Sequence, residues 1–293
     1  MSALEDLERL EAAVTRALET GDVSGLEVVG YGEITLVVRW DVAGLAMACK
    51  RLPGLADETA FEEYRRGVRL YLEGLAEREI VVPETSVEGV RRSDGTFTAY
   101  CLQSLLPSSK LLVNLLGGAD PADAEPVFSE VVERIAGSVG GGFGLDAQLS
   151  NWALFAVGLR YLDISTPMMR DPRGREAFDV ELHLASVPWA LRGIVRRFAI
   201  GAILDKYYDR RGALLDLAGN LHKERLEALV PAFLEVANGV LTKPLTERQV
   251  LAYYRDDARM WALLQRLRRA DRWWQRTVRR RSYPFLLPGK IAR

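Results

Sequence analysis

The residues able to do chemistry in this 293-residue chain are few and far apart. Asp146 and Asn151 stand in the stretch GLDAQLSNW (144–152), just after the glycines 140–142. Asp163 follows at the end of the apolar run LRYLD. An amide and one carboxylate offer hard oxygen ligands of the kind Mg²⁺ prefers. The other carboxylate is left to orient a hydroxyl or take its proton. Together they suit phosphoryl transfer, with Asp146 as the base and Asn151 and Asp163 as metal ligands.

Lys50 lies earlier, in AMACKRL. An ammonium inside an apolar strand is costly to bury unless it is paired, and either a phosphate or a carboxylate would pair it. The helix that follows offers Glu62 and Glu63; helical phase leaves both open, and Glu63 is taken as the partner. Arg51 stands next to it, and because successive strand residues alternate faces, one of the pair is expected to face outward. Upstream, Gly30-Tyr31-Gly32 sits at a turn between strands. Glycines there let backbone amides approach phosphates with no Cβ in the way.

Positioning these groups requires a sheet, then helices. An amphipathic helix is predicted over 3–20 from Leu4, Leu7, Leu10, Val14 and Leu18, with Ser2 and Glu5 as a capping box and Gly21 as its stop. It reads as a lid or strut. Strands are predicted near 26–30, 34–40 and 45–51, a long helix over 58–76, and strands at 85–91 and 96–103 around the turn RSDGT. The Pro-, Gly- and Ser-rich run 105–126 is a connector. Beyond it helices are expected at 126–139, 189–204, 223–238, 247–255 and 257–281, with short strands flanking 152–163. The class is therefore α+β.

Composition narrows the rest. Residues 1–150 carry 13 Lys and Arg against 25 Asp and Glu, while residues 151–293 carry 26 against 15. The halves are oppositely charged, although the net charge is only −1. Cys49 and Cys101 lie in apolar runs with no C-x-x-C, so they read as buried thiols in a reducing cytoplasm and exclude a cysteine-based zinc site. The two histidines lack ligand spacing. No apolar run reaches the roughly 20 residues of a membrane span, and the acidic N-terminus is no signal peptide.

The ordered set of glycine turn, strand lysine, helix glutamate, Asp-x4-Asn and strand-end aspartate resembles the kinase-like superfamily. Within it, the set is most similar to aminoglycoside phosphotransferase and choline kinase relatives. The resemblance covers about residues 26–165. It implies a two-lobed fold: an N-terminal lobe over 1–103, a hinge at 104–108 and a helical lobe over 109–293. It implies ATP and Mg²⁺ as cofactors, and γ-phosphoryl transfer to the hydroxyl of a small-molecule acceptor. Lys50, Glu63 and Asp146 would be catalytic. Gly30, Tyr31, Gly32 and Lys50 would hold phosphates. Gln103 would lie behind the adenine, with Ser104, Leu105 and Leu106 offering backbone contacts. The alternative is an inactive nucleotide-binding regulator or scaffold.

Three positions depart from the family pattern. Gly144 stands where a histidine is usual, which leaves open what holds the catalytic loop. Gln148 stands where a basic residue is common. Ile164-Ser-Thr-Pro follows Asp163 in place of Phe-Gly.

Two basic stretches remain. Arg170, Arg173 and Arg175 lie in a Pro/Gly loop beside the expected acceptor site and read as a solvated loop before an anion site. The tail 268–293 interleaves arginine with Trp273 and Trp274. It could contact anionic membrane weakly, bind nucleic acid, or pack its aromatics on the helical part. Packing is the expectation; nucleic acid is not expected, because the basic character does not cover a whole domain.

Overall fold

The computed structural model describes residues 2–31, 35–179, 181–184, 187–188, 191–198, 200–280, 283 and 285–286. The chain opens with α1 (Ala3–Thr20), capped by Ser2 and Glu5 and ended by Gly21 at φ 80°. Five strands follow, β1 (Glu27–Tyr31), β2 (Leu36–Val42), β3 (Leu45–Leu55), β4 (Thr85–Arg91) and β5 (Phe97–Ser104). They form an antiparallel sheet in the order β1-β2-β3-β5-β4. Helix α2 (Glu58–Glu77), capped by Asp57, connects β3 to β4.

Strand alternation gives the sheet two apolar faces. Leu52, Phe97, Ala99 and Cys101 face α2. Val38, Cys49, Tyr100 and Leu102 face α1, which covers the back of the sheet. The first helix is thus a layer of the sheet domain, packed through Leu7, Leu10 and Val14. Asp6 accepts from the Ala43 amide at 2.9 Å, holding a turn in which Ala43 has φ 50°.

The same back face corrects the expectation that one of Lys50 and Arg51 faces outward, because Arg51 is buried there and Lys50 is largely covered on the other face. The Arg51 Nε and Nη2 donate to both oxygens of Glu11 at 2.7 and 2.8 Å. Thr98 and Tyr100 donate to the same carboxylate, at 3.1 and 2.7 Å. Every lone-pair direction of a buried carboxylate is thereby used, which is what makes its burial tolerable.

After β5 come α3 (Leu112–Leu115), α4 (Pro121–Ser138), and the hairpin β6 (Trp152–Phe155) and β7 (Gly158–Tyr161). Then follow α5 (Glu181–Leu184), α6 (Arg192–Phe198), α7 (Ile200–Tyr208), α8 (Arg210–Lys223), α9 (Val230–Gly239) and α10 (Glu247–Thr277). The main core is continuous from α2 and β5 into α4, α8 and α9. No helix among the described residues is long and apolar enough to cross a membrane.

Two expectations about helices fail, and one helix went unread. Helix α8 escapes periodicity because it is buried nearly all round, from Ala213 and Leu214 to Asn220 and Leu221. Gly219 lies against the Tyr253 ring, 2.7 Å from where a Cβ would sit. The helix expected over 223–238 is interrupted, because α8 ends at Lys223 and α9 starts at Val230 after Arg225 takes φ 61°. The pair expected at 247–255 and 257–281 is one helix, capped by Thr246 and Gln249 and uninterrupted at Asp256-Asp257.

Candidate functional site

Lys50 lies on β3, the central strand, opposite Val37 of β2 and Cys101 of β5. Alternation places its side chain on the α2 face with Leu52. There Nζ donates to Asp163 Oδ1 at 2.6 Å, across 113 residues of sequence. Ser165 Oγ donates to the same oxygen at 3.0 Å. Burial disfavours the charge on Asp163, but the Lys50 ammonium and the Ser165 bonds outweigh it and hold the carboxyl below its ordinary value.

Glu63 does not reach Lys50. Helix α2 turns Phe61, Tyr64, Val68 and Tyr71 inward, and this phase leaves Glu62 and Glu63 exposed. Glu62 pairs with Arg65 at 2.7 Å. The helix instead faces the site with Tyr64, whose hydroxyl donates to the Ser165 carbonyl at 2.9 Å and lies 3.2 Å from Cys101 Sγ. Burial raises both thiols, to about 11 for Cys101 and about 12 for Cys49, so neither is a reactive thiolate.

The loop carrying Asp146 follows Gly140, Gly141 and Gly142, all at positive φ. Gly142 is needed: a Cβ there would lie 2.9 Å from the Arg170 carbonyl oxygen. At Gly144 a Cβ would lie 2.9 Å from the Tyr207 oxygen and 3.0 Å from the Tyr208 ring. The position is filled by a neighbouring helix, so no side chain from residue 144 can brace the loop. The bracing comes from elsewhere. Tyr71 of α2 donates to the Gly144 carbonyl at 2.9 Å. Tyr161 of β7 and Asn151 Nδ2 donate to the Asp146 carbonyl at 3.3 and 3.0 Å. The Gly144 and Leu145 amides donate to Met168 and Tyr207 at 2.9 and 3.1 Å.

Asp146 itself is raised to about 7, first by burial and then by the negative charges of Asp163 and Asp216. Lys206 opposes that rise. The Gln148 amide donates weakly to Asp146, with backbone N at 3.4 Å from Oδ1 and Nε2 at 3.5 Å from Oδ2. A carboxyl poised near neutrality is well matched to accepting a proton.

The donor set fits a cation of the Mg²⁺ type. Its members are oxygen groups, and the Nδ2 bond of Asn151 leaves Oδ1 as the ligating end of that amide. Among the described residues no cluster of three His, Cys, Asp or Glu forms an all-protein metal cage. Mg²⁺ is typically held by one or two side chains plus phosphate oxygens, so such a cage is not required.

The nucleotide-side expectations are reached in part. Gly30 lies on β1 beside a register shift between Val28 and Gly30, and Tyr31 ends the strand. Gly32 falls outside the described residues. Gln103, near the end of β5, points its Nε2 to Thr85 Oγ1 at 3.2 Å. Ser104 closes the strand, and Leu105 and Leu106, both half-buried, begin the connector.

Two lysines that sequence reasoning missed approach the loop from helices. Lys206 of α7 donates to Asp216 Oδ1 at 2.7 Å and to the Tyr253 hydroxyl at 3.1 Å; Tyr253 also bonds Asp216. Burial acts to lower Lys206, but Tyr207, Asp216 and Tyr253 hold it raised and charged. Lys223 of α8 donates to Gln148 Oε1 at 2.9 Å. The missing basic residue at position 148 thus has a lysine bonded to its side chain. Helix α8 carried no periodic signal that could have exposed Asp216 or Lys223. Two arginines of the loop are paired: Arg170 with Glu176 and with Asp205 of α7 at 2.7 and 2.8 Å, and Arg175 with Asp171 at 2.7 Å, while Arg173 is exposed.

The tail meets the packing expectation in part: Phe285 packs on the main core and Tyr283 is buried. Trp273 and Trp274 are exposed, whereas Arg268 is buried against Phe285, 5.1 Å from its ring centroid.

The model of a family of unknown function (DUF6206) matches residues 9–272. No curated protein matches the chain. Among solved structures, one of WaaP in complex with acyl carrier protein matches at 13% identity with a TM-score of 0.38. The match covers 87% of this chain and 91% of that one. An overlap that loose transfers no chemistry.

Proposed function

The chain belongs to the DUF6206 family, and we propose that it is an ATP- and Mg²⁺-dependent phosphotransferase acting on the hydroxyl of a small molecule, built on a kinase-like fold. The observation that carries this reading is the 2.6 Å contact of Lys50 with Asp163, beside the loop that holds Asp146 and Asn151. A strand ammonium, two acidic groups and an amide drawn from distant segments have no packing reason to converge. ATP supplies the phosphoryl group, and Mg²⁺ neutralises charge on its oxygens.

The roles of the chain's own residues follow from their positions. Lys50 would grip phosphate oxygens while Asp163 keeps it extended in the site. Asn151 Oδ1 and Asp163 would hold the cation. Asp146 would take the proton from the acceptor hydroxyl as its oxygen bonds to the γ-phosphorus and the bond to ADP breaks, a contribution typically worth about 10²–10⁴ in rate. Tyr71, Tyr161 and Asn151 keep its backbone fixed. Lys223, through Gln148, brings positive charge to the loop where the local sequence lacks it. The architecture, an antiparallel sheet with one long helix followed by helices, supports the two-lobed division at 104–108.

Thermal melting with ATP, with and without Mg²⁺, tests the reading. Ligand at about 100 times its dissociation constant stabilises a protein by roughly 2.7 kcal/mol. A shift that needs Mg²⁺ and disappears in Asp163→Asn is the expected result; no shift under any condition overturns it. A second reading, a nucleotide-binding regulator without turnover, is favoured by one observation. Glu63 is exposed, so nothing on α2 competes with Asp163 for Lys50. ATP-dependent stabilisation with no phosphate release or transfer separates that outcome.

A further inference from the structure

Helix α10 carries an outward face that the phosphotransfer reading leaves unused. Met260, Leu263, Leu267, Ala270, Trp274 and Val278 recur at spacings of three and four, which aligns them in one row. The row spans about 27 Å at 1.5 Å per residue. Met260 is 67% exposed, Leu263 51% and Val278 48%. The opposite side of the helix is the packed one, where Gln265 and Arg268 are buried.

A second row lies alongside the first. Arg259, Arg266 and Arg269 are exposed at the same flank as Trp273, itself 61% exposed. Residues 259–280 hold eight arginines and one acid, Asp271. Exposed aromatic and aliphatic side chains on a helix of this length are normally buried by something. The chemistry of the two rows says what fits.

We propose that α10 lies along an anionic membrane surface, with the apolar row and the two indoles at the acyl boundary and the arginine flank on lipid phosphates. An apolar stripe beside a cationic flank, with tryptophan between them, is the pattern of a helix lying in the interface plane. Indole rings favour that depth because one edge is polar and the body is not. Nucleic acid accounts for the arginines and the indoles, but not for a continuous row of Met, Leu and Val. A second copy would bring arginine flank against arginine flank.

The test uses the full chain in co-sedimentation with vesicles of phosphatidylcholine alone and of phosphatidylcholine with phosphatidylserine. Sedimentation with the second only, falling as salt is added, is expected. A blue shift of tryptophan emission should accompany it. Trp273→Ala with Trp274→Ala should abolish the shift. Arg266→Glu with Arg269→Glu should lower partitioning at least about tenfold. Both variants alter exposed residues and should melt as the parent does; if either fails to fold, the salt and lipid-composition arms on the parent chain still decide. No sedimentation with phosphatidylserine vesicles overturns the proposal, as does equal sedimentation with both vesicle types. Two further results also overturn it: tighter capture by a single-stranded oligonucleotide than by vesicles, or a concentration-dependent dimer abolished by Met260→Glu.

Discussion

Lys50 and Asp163 meet at 2.6 Å on the α2 face of the sheet, each only partly screened from solvent. Removing one partner leaves the other charge in a half-buried place without its counter-ion. Lys50→Met should therefore lower stability by about 1–3 kcal/mol, less than a fully buried pair costs. Lys50→Met combined with Asp163→Asn should recover part of that loss. Urea denaturation of the two singles and the double measures it, and strict additivity would show that the pair is not coupled.

Asp146 makes a prediction with a definite sign. Its folded value of about 7 lies above its ordinary 3.8, so the folded state holds the proton more tightly than the unfolded one. Stability attributable to this group is full below 3.8 and is lost as pH rises through about 7. Asp146→Asn should be neutral near pH 3.8 and more stable than the parent above pH 7, by roughly 1–2 kcal/mol after allowing for partial exposure. Turnover should fall by about 10²–10⁴ in the same variant. A variant that is stabilised but still fully active would remove Asp146 from the chemistry.

Glu11 carries the opposite sign. Burial works against its ionisation, but Arg51, Tyr100 and Thr98 hold it below its ordinary 4.5. Its contribution is present above 4.5 and is lost as pH falls through the lower folded value. Glu11→Gln strands Arg51 at 6% exposure and should cost about 3–5 kcal/mol at neutral pH. A calorimetric melt at pH 7 and again well below 4 reads both the size and the pH window.

Gly144→Ala places a methyl 2.9 Å from a backbone oxygen of α7. The helix is fixed by its own core, so the loop must shift. About 1–3 kcal/mol of stability should be lost. Tyr71→Phe removes one bond to the same loop and should cost about 1 kcal/mol. If the loop positions Asp146, both substitutions should reduce turnover by more than they reduce ATP affinity.

Glu63→Gln alters an exposed side chain and should leave stability within about 0.5 kcal/mol and ATP affinity unchanged. A large loss of affinity would mean that α2 rotates when nucleotide binds.

The sheet was legible because β-branched runs, glycine turns and a helix of clean period alternate from residue 26 to 104. The pairing of Lys50 with Asp163 was legible only as convergence, since an ammonium on a central strand needs an anion. Which anion was a matter of helical phase, and a shift of one residue put Tyr64 where Glu63 was expected. Lys206, Asp216 and Lys223 were invisible for a different reason. Lys206 sits near the end of the nine-residue α7, past the stretch expected to be helical, while Asp216 and Lys223 sit on α8, which is buried nearly all round and has no apolar side to read. The burial of Arg51 was not legible because its partner Glu11 belongs to a helix that looked peripheral.

Arg276, near the end of α10, donates to the Leu18 carbonyl at the end of α1 at 2.6 Å, and Leu286 packs into the core between α1 and the sheet. The two ends of the described chain are thereby stitched together across 258 residues, in addition to the core that runs unbroken from α2 and β5 into α4, α8 and α9. Loss of the Arg276 bond should loosen the chain ends from one another while leaving that shared core in place.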